Sequence, residues 1–301
     1  MDAIKTQRTK FRVKDRHFIL PMIFPAVGLI VALRIVPIFY SVWLSMSGWN
    51  LNIRNSQNTF VGFKNYQQFL TSAEYLQSLS ATLRIGLWGI GLSMLVGISL
   101  ALLMYMGLKG SAVMRTFLLC AMILAPIVVG TAWRLMYQPG SGLVNYFVEL
   151  AGFESIPFLS QRSTVFGAII AVDVWQQSPF VMIVVLAGLQ SVPLEIFDSV
   201  KIDGANAWQT LFKVTFPMIS QSIMLALLIR TMDSLRLFDM VYALTKGGPA
   251  NMTRNINVLM YQTGFQFYQL GKAAAMSIMI LLFVMVPCII ITVLLKRRDS
   301  F

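Results

Sequence analysis

Six stretches of this chain each approach the ~20 apolar residues that an α-helix needs to cross the hydrocarbon of a bilayer. They fall at about 18–43, 79–106, 114–137, 165–189, 219–244 and 272–295. Inside lipid every backbone N–H and C=O must be satisfied within the protein, so runs of this length are restricted to helices. Of the 301 residues 57% are hydrophobic, and the mean hydropathy is +0.71, more apolar surface than a soluble domain of this size could bury. The sequence therefore predicts an all-α membrane protein with six transmembrane helices over 18–295. A basic head at 1–17, a basic tail at 296–301 and a connection at 190–217 that is itself folded complete the outline.

A formal net charge of +12 would suit a nucleic-acid binder, but its distribution does not. Lys5, Arg8, Lys10, Arg12, Lys14 and Arg16 fill the head. Lys109, Arg115, Lys201 and Lys213 occupy two turns on the same side, and Lys296, Arg297 and Arg298 form the tail. Only Arg54, Lys64, Arg162, Lys246 and Arg254 fall in the opposite loops. This positive-inside bias predicts a multi-pass membrane protein with both termini in the cytoplasm, in contact with lipid rather than nucleic acid. Cys120 and Cys288 lie inside apolar runs and the single His17 sits at a membrane edge, so no disulfide framework or metal site is expected. Residues 1–45 carry no cleavable signal, because the apolar run is too long and no small-x-small site follows it.

The connection at 193–217 is not a plain turn. Pro193 suits a first helical position, Glu195 the first turn, and Asp203-Gly204 a stop. Asn206 then caps a second helix, with Gln209 placed for a capping box. Trp208, Leu211 and Phe212 share one face, and Pro217 ends the unit. Two readings fit: a docking element for a soluble partner, or an interfacial helix lying on lipid headgroups.

This pattern resembles the EAA loop of the membrane subunits of ATP-binding-cassette importers. Pro193, Glu195, Asp203, Gly204, Ala205 and Pro217 match it, while the triad itself departs, reading Asp198-Ser199-Val200. Phe60-Val-Gly-Phe-Lys-Asn-Tyr66 and Gly142-Leu-Val-Asn145 are also similar to the family. Arg230-Thr231, Asp233, Phe238-Asp239, Tyr242, Thr245 and Gly247-Gly-Pro249 resemble permeases for sugars and glycerol phosphate, of the type that stands first of two unlike permeases.

The resemblance implies a type I importer fold and a permease subunit of a binding-protein-dependent sugar importer. Its partners would be a second, non-identical permease, two P-loop ATPase subunits and a periplasmic or extracellular solute-binding protein. The chain has no Gly-x-x-x-x-Gly-Lys-Ser/Thr of its own, so ATP and Mg would be held by the partner ATPase. In the loop Glu195, Asp198 and Asp203 would be acidic handles. Phe197, Val200, Trp208 and Phe212 would be the apolar body, Ser199 and Ala205 would flank the contact, and Gly204 would turn the chain where a Cβ clashes.

Charges in mid-membrane cost roughly 2.5–3.5 kcal/mol each on insertion scales, so each needs a partner or water. Asp173, Gln176, Gln177 and Phe180 follow i, i+3, i+4, i+7 and form one polar face of the fourth span. Pro179 frees the carbonyl of Trp175 in the same turn. This face is expected to line water or a polar substrate, or else to hydrogen-bond a neighbouring helix. Arg230, Asp233, Arg236 and Asp239 alternate in sign at three-residue steps, which predicts mutual neutralisation along one helix. Whether Asp233 and Arg236 touch substrate or hold helices stays open. Trp133 and Tyr137 read as an aromatic belt. Two rivals are an ion-coupled carrier using the fifth-span charges as a relay, and a membrane enzyme with Asp173 and Asp233 as acids. The second lacks a nucleophile, so no catalytic role is expected.

Overall fold

The structure, a computed structural model, describes residues 16–298 except 57, 58 and 108. The expected basic head up to residue 15 and the last residues of the tail lie outside the described residues. Among the described residues the chain is helical without strands, apart from one isolated bridge between Ser47 and Phe60.

The first span is α1 (Arg16–Ile30), widened by a π-turn at Val31–Ile35 into α2 (Val36–Ser45). After the short α3 (Lys64–Thr71) come α4 (Ala73–Tyr105), α5 (Ser111–Ile123), α6 (Pro126–Met136), α7 (Leu143–Leu150) and α8 (Val165–Gln190). The folded connection holds α9 (Leu194–Ile202), α10 (Ala207–Gln209) and α11 (Phe216–Met218). It leads to α12 (Ser220–Leu235), α13 (Asp239–Thr245), α14 (Ile256–Tyr261) and α15 (Leu270–Arg298). Four helices are long and apolar enough to cross a bilayer alone, and two bent pairs raise the number to as many as six.

Two expected spans are broken. The run at 114–137 bends by 101° between α5 and α6. Pro126 is the cause: it has no N–H for Met122 to receive, its ring clashes with that carbonyl, and it pushes Ala125 into extended backbone (ψ 134). The run at 219–244 stops at Leu235 and resumes at Asp239, with no proline near the gap. Its exposed carbonyls are met by side chains from further along the chain, described below.

The centre of the molecule is α8, laid along α4 and crossed by α12. Close approach depends on small residues. A Cβ at Gly89 would sit 2.5 Å from Asp173 Oδ2, and one at Gly97 would sit 2.5 Å from Val181 Cβ. The second half of the first span packs on α15, and α13 packs on α6. Met22, Phe24, Leu29 and Leu33 of the first span stay exposed, as a surface facing lipid or another subunit must be.

The connections are more built than simple loops. Asn145 of α7 is fully buried; its Nδ2 donates to Tyr137 O and Ile156 O (both 3.0 Å), and its Oδ1 accepts from Ile156 N (2.8 Å). The segment expected as an open outer loop after the fifth span contains α14, whose first four residues are buried. Tyr137 is also buried, ringed by Trp133 at 5.4 Å and Phe158 at 5.1 Å, so it is a packing residue rather than part of an interfacial belt.

Candidate functional site

The connection at 193–217 is rigid by construction. Pro193 is the N-cap of α9 rather than its first helical residue, with Glu195 in the first turn and Lys201 in the last, both favourable to the helix dipole. The helix closes as a Schellman motif: Ala205 N donates to Val200 O at 3.2 Å and Gly204 N to Lys201 O at 3.1 Å. Gly204 has φ +74. Nothing lies within 4 Å of a Cβ placed there, so glycine is required by left-handed backbone and not by a neighbour, contrary to the expected clash.

Asn206 and Gln209 then form the expected capping box, with Gln209 N donating to Asn206 Oδ1 at 2.8 Å and Asn206 N to Gln209 Oε1 at 2.9 Å. The helix widens into a π-turn at Thr210–Thr215 and ends at Met218, one residue past the expected stop at Pro217, before the chain bends by 66° into α12.

Glu195, Asp198, Ser199 and Asp203 are exposed, and Ala205 is half-buried. The Lys201–Asp198 pair at 3.3 Å is also exposed and contributes little. Val200 is half-buried, and so is Phe197, whose ring meets Tyr105 at 6.0 Å and so fastens α9 to the end of α4. Trp208 stacks on Phe212 (5.7 Å, 10°), and both remain exposed. The connection thus presents exposed carboxylates and an exposed pair of stacked rings on a braced backbone.

In the membrane the expected neutralisation along the fifth span is not what forms. Arg230 Nη2 meets Asp173 Oδ2 of α8 at 2.7 Å, with both side chains 1% exposed, and Arg230 Nε donates to Ser93 Oγ of α4 at 3.0 Å. Arg230 points into the seam between α4 and α8, where an acid waits. Asp233, Arg236 and Asp239 are exposed and form no ion pair among the described residues.

The polar face of α8 is divided in the same way. Gln176 is buried, and its Nε2 donates at 2.9 Å to Leu124 O, a carbonyl left open by the bend before Pro126. Asp173 and Gln176 therefore join helices within this chain instead of lining an open polar face. Gln177 and Phe180 are half-buried at its edge.

The gap between α12 and α13 is held by asparagines. Asn257 Nδ2 donates to Leu235 O at 3.1 Å, and Asn255 Nδ2 donates to Leu237 O. Asn255 also caps α14 through Val258 N at 3.0 Å. Arg254 pairs with Glu74 at 2.7 Å, tying the same segment to the first turn of α4. Sequence reasoning named Asp173 and Arg230 but not Ser93, Glu74, Asn255 or Asn257. Nothing in the polar run Asn251-Met-Thr-Arg-Asn-Ile-Asn257 singles out the two asparagines. Among the described residues no group of three or more His, Cys, Asp or Glu side chains is placed to hold a metal.

Straight and broken membrane helices around a braced, acid-faced connection define an integral membrane permease component. Residues 93–300 match the family described as the binding-protein-dependent transport system inner membrane component, and the chain belongs to that family. It is 35% identical over 261 residues to a probable ABC transporter permease protein, y4oQ, of Sinorhizobium fredii, covering 87% of this chain and 84% of that one. It is 34% identical to the trehalose transport system permease protein SugA of Mycobacterium tuberculosis (91% and 87% covered). The figure is 32% for the trehalose/maltose transport system permease protein MalF of Thermococcus litoralis (95% of each).

Among solved structures, a chain of a bacterial alginate ABC transporter, crystallised with an alginate pentasaccharide-bound periplasmic protein, superposes with a TM-score of 0.83 at 20% identity over 95% of this chain and 96% of that one. That likeness carries the fold, the type I importer transmembrane arrangement. The protein is a multi-pass inner-membrane permease of this transport class, and the ion-coupled carrier reading finds no support.

Proposed function

We propose that this chain forms one half of the translocation pathway of an ATP-driven sugar importer. The observation that carries the reading is the connection at 193–217. Its Schellman closure, capping box and Phe197 anchor hold an exposed acidic and aromatic surface rigid in a place where a short polar turn would suffice. An element of that kind transmits force. Two copies of a P-loop ATPase, binding ATP and Mg, would grip Glu195, Asp198, Ser199 and Asp203, with Val200, Gly204 and Ala205 beside them. Because the connection runs directly into α8 and α12, closure of the ATPases would move both helices. The positive-inside charge pattern supports a cytoplasmic side for this surface and for both termini.

A second, non-identical permease would supply the other half of the pathway, and an extracytoplasmic solute-binding protein would deliver the substrate. The names of the relatives support a sugar as that substrate. Irregular backbone at membrane depth is tolerated where it is buried or lines a polar cavity. The gap at 236–238 has buried support behind it and exposed Arg236 beside it, which favours Asp233, Arg236 and Gln177 as pathway residues. Asp173, Gln176, Phe180 and Arg230 would shape the wall from behind.

The test is uptake of labelled maltose and trehalose into proteoliposomes holding the complete transporter. ATP-dependent uptake is expected in the wild type. Gly204→Pro forces φ to about −65° where the loop needs a positive value, and it should abolish coupling. Uptake of either sugar without ATP, or full coupling in Gly204→Pro, would overturn the reading.

A further inference from the structure

The aromatic row of the 193–217 connection does not stop at Phe212. That ring meets Phe216 nearly edge-on (5.3 Å, 77°), and past Met218 the chain bends by 66° into α12. The bend opens a groove of about 630 Å³ lined by Phe212, Phe216, Pro217, Ser220, Ile223 and Met224. Ligand sites span about 300–1,000 Å³, so the space is enough for a guest. The lining side chains offer little to a polar one: the only hydroxyl among them, that of Ser220, already donates to Pro217 O at 2.8 Å. Ile223 and Met224 belong to α12, inside the apolar run of the fifth span, a depth that a soluble ATPase gripping α9 does not reach. At the other end of the groove stands a cation. Lys213 follows Phe212, precedes Pro217 by four residues, is exposed, and forms no ion pair among the described residues.

We propose that this groove binds an anionic phospholipid from the leaflet on the side of the connection. One acyl chain lies along Phe216, Ile223 and Met224, and the phosphate meets Lys213. The groove starts in the hydrocarbon and ends where hydrocarbon gives way to headgroups, the height at which a lipid carries its negative charge. An apolar helix of a second permease would fill the same space but bring nothing to Lys213. The lipid would touch the connection and α12 at once, and so become part of the elbow through which one moves the other. The inference goes beyond the importer reading and does not depend on which substrate is carried.

The experiment is photolabelling of the complete transporter in phosphatidylethanolamine nanodiscs. The probes are phosphatidylglycerol and phosphatidylcholine bearing the same diazirine acyl chain, and labelled residues are read by peptide mass spectrometry. The phosphatidylglycerol probe should label residues 212–224 about fivefold more than the phosphatidylcholine probe, the weight of one lysine beside an anionic headgroup. The exposed Phe24 and Leu29 of the first span should take both probes equally. Lys213→Gln should remove the fivefold preference and Lys213→Arg should keep it. Ile223→Trp, which fills the groove, should exclude both probes there while Phe24 and Leu29 label as before. Equal labelling of 212–224 by the two probes, or a preference that survives Lys213→Gln, would overturn the site. A groove that takes neither probe in the wild type, with Phe24 and Leu29 labelled, would overturn it in favour of a second permease seated there.

Discussion

Asp173 meets Arg230 at a point where both side chains are buried, so each keeps the other tolerable. Removing one partner of a buried pair strands the other charge, at a cost of about 3–5 kcal/mol, whereas replacing both with apolar residues is often neutral. Arg230→Met should therefore lower the yield and Tm of the purified protein sharply, and the double variant Arg230→Met with Asp173→Leu should restore most of both. Equal losses in the single and double variants would show that the pair does not hold α12 to α8. The sequence announced that Arg230 needed an acid, but the three-residue spacing pointed to Asp233. The choice was made by the seam between α4 and α8, where Gly89 leaves room for the carboxylate and Ser93 takes the remaining guanidinium edge. No spacing rule within one helix contains that information.

At the scale of elements, what could be read depended on how local the cause was. The capping box of Asn206 and Gln209 and the stop at Gly204 were legible because both are settled within a few residues. Asn206→Ala should loosen the start of that helix by about 0.5–2 kcal/mol, seen as faster hydrogen exchange at the Gln209 amide while α9 keeps its protection. Equal exchange in both proteins would show that the loop is braced from elsewhere. The bend between α5 and α6 was foreshadowed by Pro126, although the run was long enough to pass as one straight span. The gap between α12 and α13 had no such mark. Its stabilising partners lie 18 and 22 residues further along the chain, beyond any local pattern.

Across the whole molecule, burial is concentrated on one helix. The most apolar window of α8 is 61% buried, against 17% for that of α15 and none of the first span's. A hydrophobic run alone cannot distinguish the central helix from those that face lipid or a partner. Orientation is open to a direct check in a cysteine-free background made with Cys120→Ser and Cys288→Ala. In intact spheroplasts an impermeant maleimide should label Glu149→Cys but reach Ser199→Cys only after lysis. The opposite order would reverse the assignment of the 193–217 surface to the cytoplasm.

The asparagine brace also bears on how the protein is made. While the ribosome is still short of Asn255, the carbonyls of Leu235 and Leu237 have none of the donors that later satisfy them. A nascent chain arrested there would carry bare oxygens toward lipid, so the insertion machinery must shelter this segment until the next piece of polypeptide emerges. Biogenesis of the fifth span is in this sense a cooperative event, completed only by residues that do not belong to it.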